Sequence, residues 1–394
     1  MLAGRLAWRL GSGPYPDRVH IEFNGSPAPT LGVEVELELV DRETGELVSA
    51  ATDILTELGL GHPEDEHPKA KHELFECTIE IITGICDTVA EARADLSATL
   101  AEVREAADRR GIDLLCSGTH PYSNWGDQHV SDDPRYHQLL EQMGWTAQRL
   151  QIFGVHFHVG VRHGERVLAI SNGLAGYIPH LLALSASSPY WESRDTGLAS
   201  SRSKVFEALP TAGLPEQLTD WAEFERFMGT LISAGALTTI REVWWDIRPH
   251  PDFGTIELRM CDGLPTLREV TALAALSQCL VTWLDQRAEA GEVLQPPSDW
   301  VLRQNKWRAA RYGIEAELIR DLEGNTRPLP EAVIELVTAL RPVGVTLGCA
   351  DELEGVLAIL DEGPSYLRQR RLVEEGGDLR SVVAQLVDDM ADAR

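Results

Sequence analysis

Residues 31–41 read LGVEVELELVD, in which apolar and acidic residues alternate strictly from Val33 to Leu39. Successive side chains of a strand point to opposite faces. The run therefore predicts a β-strand with Leu31, Val33, Val35, Leu37 and Leu39 on one face and Glu34, Glu36 and Glu38 on the other. This constrains the fold tightly. One face must be covered by apolar partners, while the other gathers three like charges whose repulsion needs solvent or a cation. The segment alone leaves both answers open.

Residues 154–161, GVHFHVGV, obey the same periodicity: His156 and His158 share one face, and Phe157 and Val159 the other. A sheet with a wet face explains such a pair, and so does a metal or phosphate site. Residues 73–83, ELFECTIEIIT, suggest another strand, with a helical start left open. VWWDIRPHP and TIELRMCD read as two strands around a turn at Pro251 to Gly254. TVAEARADLSATLAEVREAADRRG reads as a helix with a glycine stop, and IDLLCSGTHP as a strand entering a loop. PRYHQLLEQMGWTAQRL, an apolar stretch from about 166 to 187, EQLTDWAEFERFMGTLISAG and LREVTALAALSQCLVTWLDQRAEAG are expected helices, as is most of the chain after about 300. SSPYWESRDTGLASSRS is expected to be a long polar loop. No GxxxxGKS or GxGxxG loop follows a strand, so a doubly wound nucleotide fold does not fit. An α+β architecture does, with an antiparallel sheet and helices on one side.

The formal net charge is -27, from 62 acidic and 35 basic residues. That argues against a nucleic-acid partner and against anionic membrane surfaces. A small anionic ligand stays open, because local arginines or bound cations invert the field. Cys77, Cys86, Cys116, Cys261, Cys279 and Cys349 show no CxxC pairing and no zinc-type spacing, so free thiols in a reducing cytoplasm are expected. No apolar run approaches the roughly 18 residues of a membrane span. Residues 1–28 are expected to be a leader, loosely ordered, and 29–394 one catalytic domain.

Glu34, Glu36 and Glu38 are natural ligands for a hard cation such as magnesium, or simply an exposed acidic face. Glu73 and Glu80 read the same two ways. Glu257 and Arg259 share a strand face near Arg241, Arg248 and His250, as a salt bridge or as a metal acid beside a phosphate-binding guanidinium. Arg194, Arg202 and neighbouring hydroxyls belong to a plain polar loop or to an anion site. Taken together, acids, a histidine pair and arginines on strand faces suit magnesium with a polyphosphate.

Several motifs match one family in order: LGVEVELELVD, the ELxxxxxEIxTGIC run from Glu73 to Cys86, GTHP at 118–121, RY at 135–136, GVHFHVGV, SPYWESRDTGLASSR, WWDIRPHPDFGTIELRMCD and NKWRAARYGIEA. The chain resembles the carboxylate–amine ligases of the glutamate–cysteine ligase type 2 family over about 29–390. The resemblance implies a glutamine-synthetase-like fold, in which a largely antiparallel sheet forms a funnel-shaped active site with helices on its outer side. It implies ATP with two or three magnesium ions, for which manganese can substitute, and small-molecule carboxylate and amine substrates joined through an acyl phosphate. It also implies a homodimer. By motif position, Glu34, Glu36, Glu73, Glu80, His156 and Glu257 would form the metal shell. His158, Arg248 and Arg259 would be catalytic and face the nucleotide phosphates, and Arg194 and Arg202 would bind the carboxylate substrate.

The chain departs from the family pattern at Glu76, Cys77 and Thr78, at Ile82, and at Glu192 and Ser193. These changes suggest a physiological amine or acid other than cysteine or glutamate, in specialised metabolism. Two rival readings are a metal-dependent hydrolase built on the histidine pair and a nucleotide-binding sensor without turnover.

Overall fold

The alternating segment is strand β1 (Leu31–Asp41), central to a seven-stranded sheet in a computed structural model that describes residues 20–391. The other strands are β2 (Ala70–His72), β3 (Thr78–Ile82), β4 (Ile112–Leu115), β5 (Gly154–Gly160), β8 (Ile247–His250) and β9 (Thr255–Asp262). Their order is β2-β3-β1-β5-β9-β8, with β4 also paired to β1, and each of these pairs is antiparallel. Tyr190–Trp191 and Arg194–Asp195 form a separate hairpin of strands β6 and β7.

The apolar face of β1 is closed off from water, as its alternation requires. Val33, Val35, Leu37 and Leu39 join Ile79, Ile81, Val155, Phe157, Val159, Ile256 and Leu258 in one cluster. The helices Val89–Asp108 and Leu267–Glu289 cover that face through Leu96, Leu100, Val270 and Leu273. Each such side chain, fully buried, contributes about 1.5–3 kcal/mol. Both helices begin where a threonine side chain accepts a backbone N–H: Thr88 from Glu91 and Thr266 from Glu269. On the acid-bearing face the C-terminal helix Leu379–Ala391 covers only the β4 end, through Val382, Val383 and Leu386 against Val40 and Leu115, and the rest is left to carry a site.

Several segments differ from the sequence expectation, each for a local reason. Only Thr78–Ile82 of the 73–83 run is strand. Residues 73–77 cross a neighbouring loop, where Glu76 N–H donates to the His129 carbonyl and Ser131 N–H to that of Leu74. The helix expected over 134–150 breaks at Gly144, with φ 57°. The apolar stretch 166–187 is two helices, Gly164–Ala175 and Ile178–Ser185, bent by 60° where Pro179 opens the second. By length and composition that bent pair could cross a membrane, but no single described helix could.

The polar loop is more structured than expected. The β6–β7 turn puts Glu192 and Ser193 at φ 47° and 62°, a left-handed conformation that non-glycine residues rarely adopt. The loop's serine hydroxyls mostly donate to protein oxygens. Ser188 and Ser200 donate to the buried Asp262 carboxylate at 2.7 and 2.8 Å, and this pins the loop to the end of β9. Most of the expected leader, residues 1–19, lies outside the described residues. Residues 20–28 run along the body, with Ile21 buried and its carbonyl accepting from Trp221 Nε1 at 2.7 Å.

Candidate active site

Strand register gathers the site. Glu34 lies opposite His156 on β5, and Glu36 opposite Glu80 on β3. His158 lies opposite Glu257 on β9, which in turn lies opposite Arg248 on β8. Directly paired residues share a face, so side chains from five strands meet on the face opposite the helices Val89–Asp108 and Leu267–Glu289. Between β5 and β9 the register shifts: residues 155 to 157 face residues 258 to 261, a bulge that leaves Arg259 on the site face.

One end of this face is a charge-balanced cluster. Glu257 is fully buried and accepts from Arg248 Nε at 2.8 Å, while Arg259 Nη1 reaches its other oxygen. Burial pushes Glu257 towards protonation, but the two guanidiniums outweigh it and hold the carboxyl well below its usual range. Arg248 also donates to the carbonyls of Arg241 and Val243 at 3.1 and 3.2 Å, which fixes its plane. Glu34 takes His156 Nδ1 at 3.0 Å and His158 Nε2 at 3.1 Å. Burial opposes ionisation of Glu34 too, yet His158 and His156 together lower its pKa. His158 rises against the effect of burial, because Glu257 and Glu34 face it, and its Nδ1 lies 3.2 Å from the Thr255 hydroxyl.

The other end is acid without a matching base. Burial, reinforced by the Glu73 charge, raises Glu36 to about 8. Burial, followed by the charges of Glu34, Glu73 and Glu36, raises Glu80 well above its usual value. Glu73 is raised chiefly by burial. Glu36 receives the Gly154 N–H at 2.5 Å. Burial, aided by the Arg259 charge, lowers His156 to about 4, so it is neutral, and its Nε2 is buried without a partner.

Two sets of donor atoms lie close enough to share an ion: Glu34, His156 and Glu257, and Glu36, Glu80 and His156, with each set's atoms within 4.8 Å of one another. Oxygen-rich sets of this kind match a hard divalent cation. The raised carboxyls and the orphaned His156 nitrogen are what such a cation would satisfy. Glu73 stands beside Glu36 in a small, partly open cavity of about 30 Å³, whose walls include Leu74, Phe75, Thr78, Leu150, Ile152 and Phe153.

The structure thus brings together Glu34, Glu36, Glu73, Glu80, His156, His158, Arg248, Glu257 and Arg259. Glu38 does not join them: it is buried behind the site, accepting from the Ser117 hydroxyl at 2.8 Å. Arg194 and Arg202 are separated. Arg194 is exposed on β7, whereas Arg202 is buried beside Gly154, its Nη1 3.4 Å from the Arg259 carbonyl and its Nε unpartnered. Two residues near the site carry no role on sequence grounds. Arg135 lies near enough to Glu73 for its charge to act on that carboxyl, and Thr255 supports His158. The RY motif is the only sequence signal for Arg135, and nothing local marks Thr255.

Comparison with known proteins adds to this geometry. Residues 30–385 match the model of the glutamate-cysteine ligase family 2. A Frankia casuarinae protein named "Putative glutamate--cysteine ligase 2-1" is 55% identical over 377 residues, 95% of this chain and 99% of that protein. A Thermobifida fusca protein named "Putative glutamate--cysteine ligase 2" is 53% identical over 369 residues, 94% and 92% of the two chains. Among solved structures, a glutamate–cysteine ligase of Francisella tularensis in complex with AMP superposes with a TM-score of 0.66 at 14% identity, covering 95% of this chain and 94% of that one. At that identity the likeness establishes the fold, which agrees with the glutamine-synthetase-like sheet-and-helix architecture expected.

Proposed function

The chain belongs to the glutamate-cysteine ligase family 2 and is an ATP-dependent ligase that forms C–N bonds; on that premise we propose that it activates a carboxylate as an acyl phosphate and passes the acyl group to an amine. One observation carries this reading. A cluster of unbalanced carboxylates and a pair of guanidiniums share one sheet face, with two histidines between them. Such a face suits a polyphosphate held by cations at one end and arginines at the other.

Glu34, Glu36, Glu73, Glu80, His156 and Glu257 would hold magnesium, whose positive charge offsets that of the phosphates during transfer. Arg248 and Arg259 are fixed by Glu257 and present their remaining N–H groups to the phosphates, with His158 beside them. A substrate carboxylate oxygen attacks the terminal phosphorus, the bond to ADP breaks, and the acyl phosphate forms. The amine nitrogen then attacks the acyl carbon and phosphate departs. The amine must lose a proton, and Glu36 and Glu73 on the pocket wall are placed to accept it. Arg202, near Glu36, and the more distant Arg194 are the proposed carboxylate-substrate residues. We assign one catalytic domain to residues 29–394, acting in the cytoplasm as a homodimer. The six buried free cysteines agree with a reducing compartment.

Glutamate with cysteine is the first substrate pair to test. A different amine is the second reading, and it rests on the pocket: Thr78, one of the departures from the family pattern, lines it, and Ile82, another, lies opposite Glu34. Incubation with magnesium-ATP and glutamate, with and without cysteine, is expected to release ADP in a cysteine-dependent way and to give the mass of γ-glutamylcysteine. ADP released with glutamate alone would instead direct the search to other amines. Metal-dependent cleavage of γ-glutamylcysteine without ATP would favour the hydrolase.

A further inference from the structure

Beyond the charged groups, the site face continues towards the β8–β9 turn. Arg248 and Glu257 are paired across these strands, and two residues further on His250 pairs with Thr255. All four side chains lie on the same face. The turn Pro251–Gly254 then folds Phe253 back over this end. Its ring stacks on His250 at 4.0 Å and 5° and lies 5.9 Å from the His158 ring. His250 is buried, and burial lowers it to about 3, so it presents a neutral ring. Phe253 remains 55% exposed.

This turn is firmly held. Gly254 has φ 66°, and a Cβ there would sit 1.9 Å from the Asn24 carbonyl oxygen. Asn24 N–H donates to the Pro251 carbonyl at 2.9 Å. A large apolar ring is therefore fixed with one face covered and its other side open, at the end of the guanidinium cluster away from the acids. Nothing in the apolar core requires it there.

We propose that Phe253, backed by His250, is the platform on which the purine ring of the nucleotide stacks while Arg248, Arg259 and His158 face its phosphates. This deepens the ligase reading and rests on it. It orders the face along one line: cations and acceptor pocket at β3, phosphates at β9, base at the β8–β9 turn. Stacking on a flat ring strengthens binding without reading the base's edges. Phe253 therefore acts on nucleotide affinity and leaves the chemical step alone.

The test uses the full chain, ADP release as the readout, and inorganic tripolyphosphate as a competitor that carries phosphates but no base. Phe253→Ala is expected to raise KM for ATP about ten- to a hundredfold, with kcat changed by less than about twofold. Inhibition by tripolyphosphate should be unchanged, and Phe253→Trp should restore KM. An unchanged KM in Phe253→Ala, in an enzyme that turns over ATP, overturns the platform and leaves the ligase reading standing. Equal weakening of ATP and tripolyphosphate also overturns it, because the effect then lies in the phosphate end or the fold. A wild-type protein that neither binds nor consumes ATP removes the ligase reading, and the platform with it.

Discussion

At the β9 end of the site face, Glu257 lies between Arg248 and Arg259 and stays ionised despite complete burial. At the β3 end, Glu36 and Glu80 face each other across adjacent strands, and among the described residues no arginine or lysine forms an ion pair with either. Both ends take carboxylates out of water. The first offsets that cost inside the protein, with two guanidiniums and the backbone carbonyls that hold Arg248. The second leaves it outstanding, and the carboxyls respond by holding protons. A self-balanced cluster is preorganised and keeps its shape without a ligand. An unbalanced one is a site awaiting a cation.

The sharpest way to break this contrast is Glu257→Gln. It leaves two buried guanidiniums without a counter-charge, and the expected loss is about 3–5 kcal/mol of stability. Urea unfolding without metal measures it; an unchanged midpoint would show that the cluster is not balanced through Glu257. ADP release should fall together with the stability.

Glu80→Gln should act in the opposite sense on stability. It removes a carboxyl that must take up a proton to be buried, so near neutral pH the metal-free protein should gain about 1 kcal/mol or more. ATP turnover should nonetheless drop about a hundredfold or more, since several kcal/mol of charge stabilisation depend on the cation this group would hold. Thermal unfolding without divalent cations, alongside ADP release, separates the two effects. Stability lost on this substitution would place an unseen basic partner beside Glu80.

A smaller effect concerns pH. The Glu36 carboxyl rises from 4.5 to about 8. A raised carboxyl favours the folded state fully below about 4.5, and that contribution fades as pH climbs towards 8. A cation competes with the same proton. The magnesium-induced rise in Tm should therefore grow between pH 6 and 8. A rise independent of pH would mean that the ion does not use Glu36.

Much of the site is legible in the amino-acid sequence, because strand periodicity assigns side chains to faces without knowledge of partners. Glu34, Glu36, His156, His158, Glu257 and Arg259 group this way, and all lie on one face. The same rule misplaces Glu38. It shares a face with Glu34 and Glu36, but β1 carries it past the end of β5 to pair with β4, where Ser117 satisfies it. Arg202 reads as a loop residue because the ties between its loop and Asp262 join positions 62 and 74 residues apart. Phe253 reads as part of a turn, and nothing local shows that the turn folds onto His250.

The sequence by itself determined that β1, β5 and β9 are strands, which faces their residues carry, and that the chemistry is one of carboxylates, histidines and arginines. Those properties follow from the two-residue period of a strand and from side-chain type, both of which are local. Only the tertiary structure decided which acids are balanced and which are not. That depends on register across β3, β1, β5, β9 and β8, and on how far each carboxyl is withdrawn from water. Charge balance is a property of neighbours in space: Glu34 meets His156 and His158 from 122 and 124 residues along the chain, while Glu36 lies opposite another acid on β3.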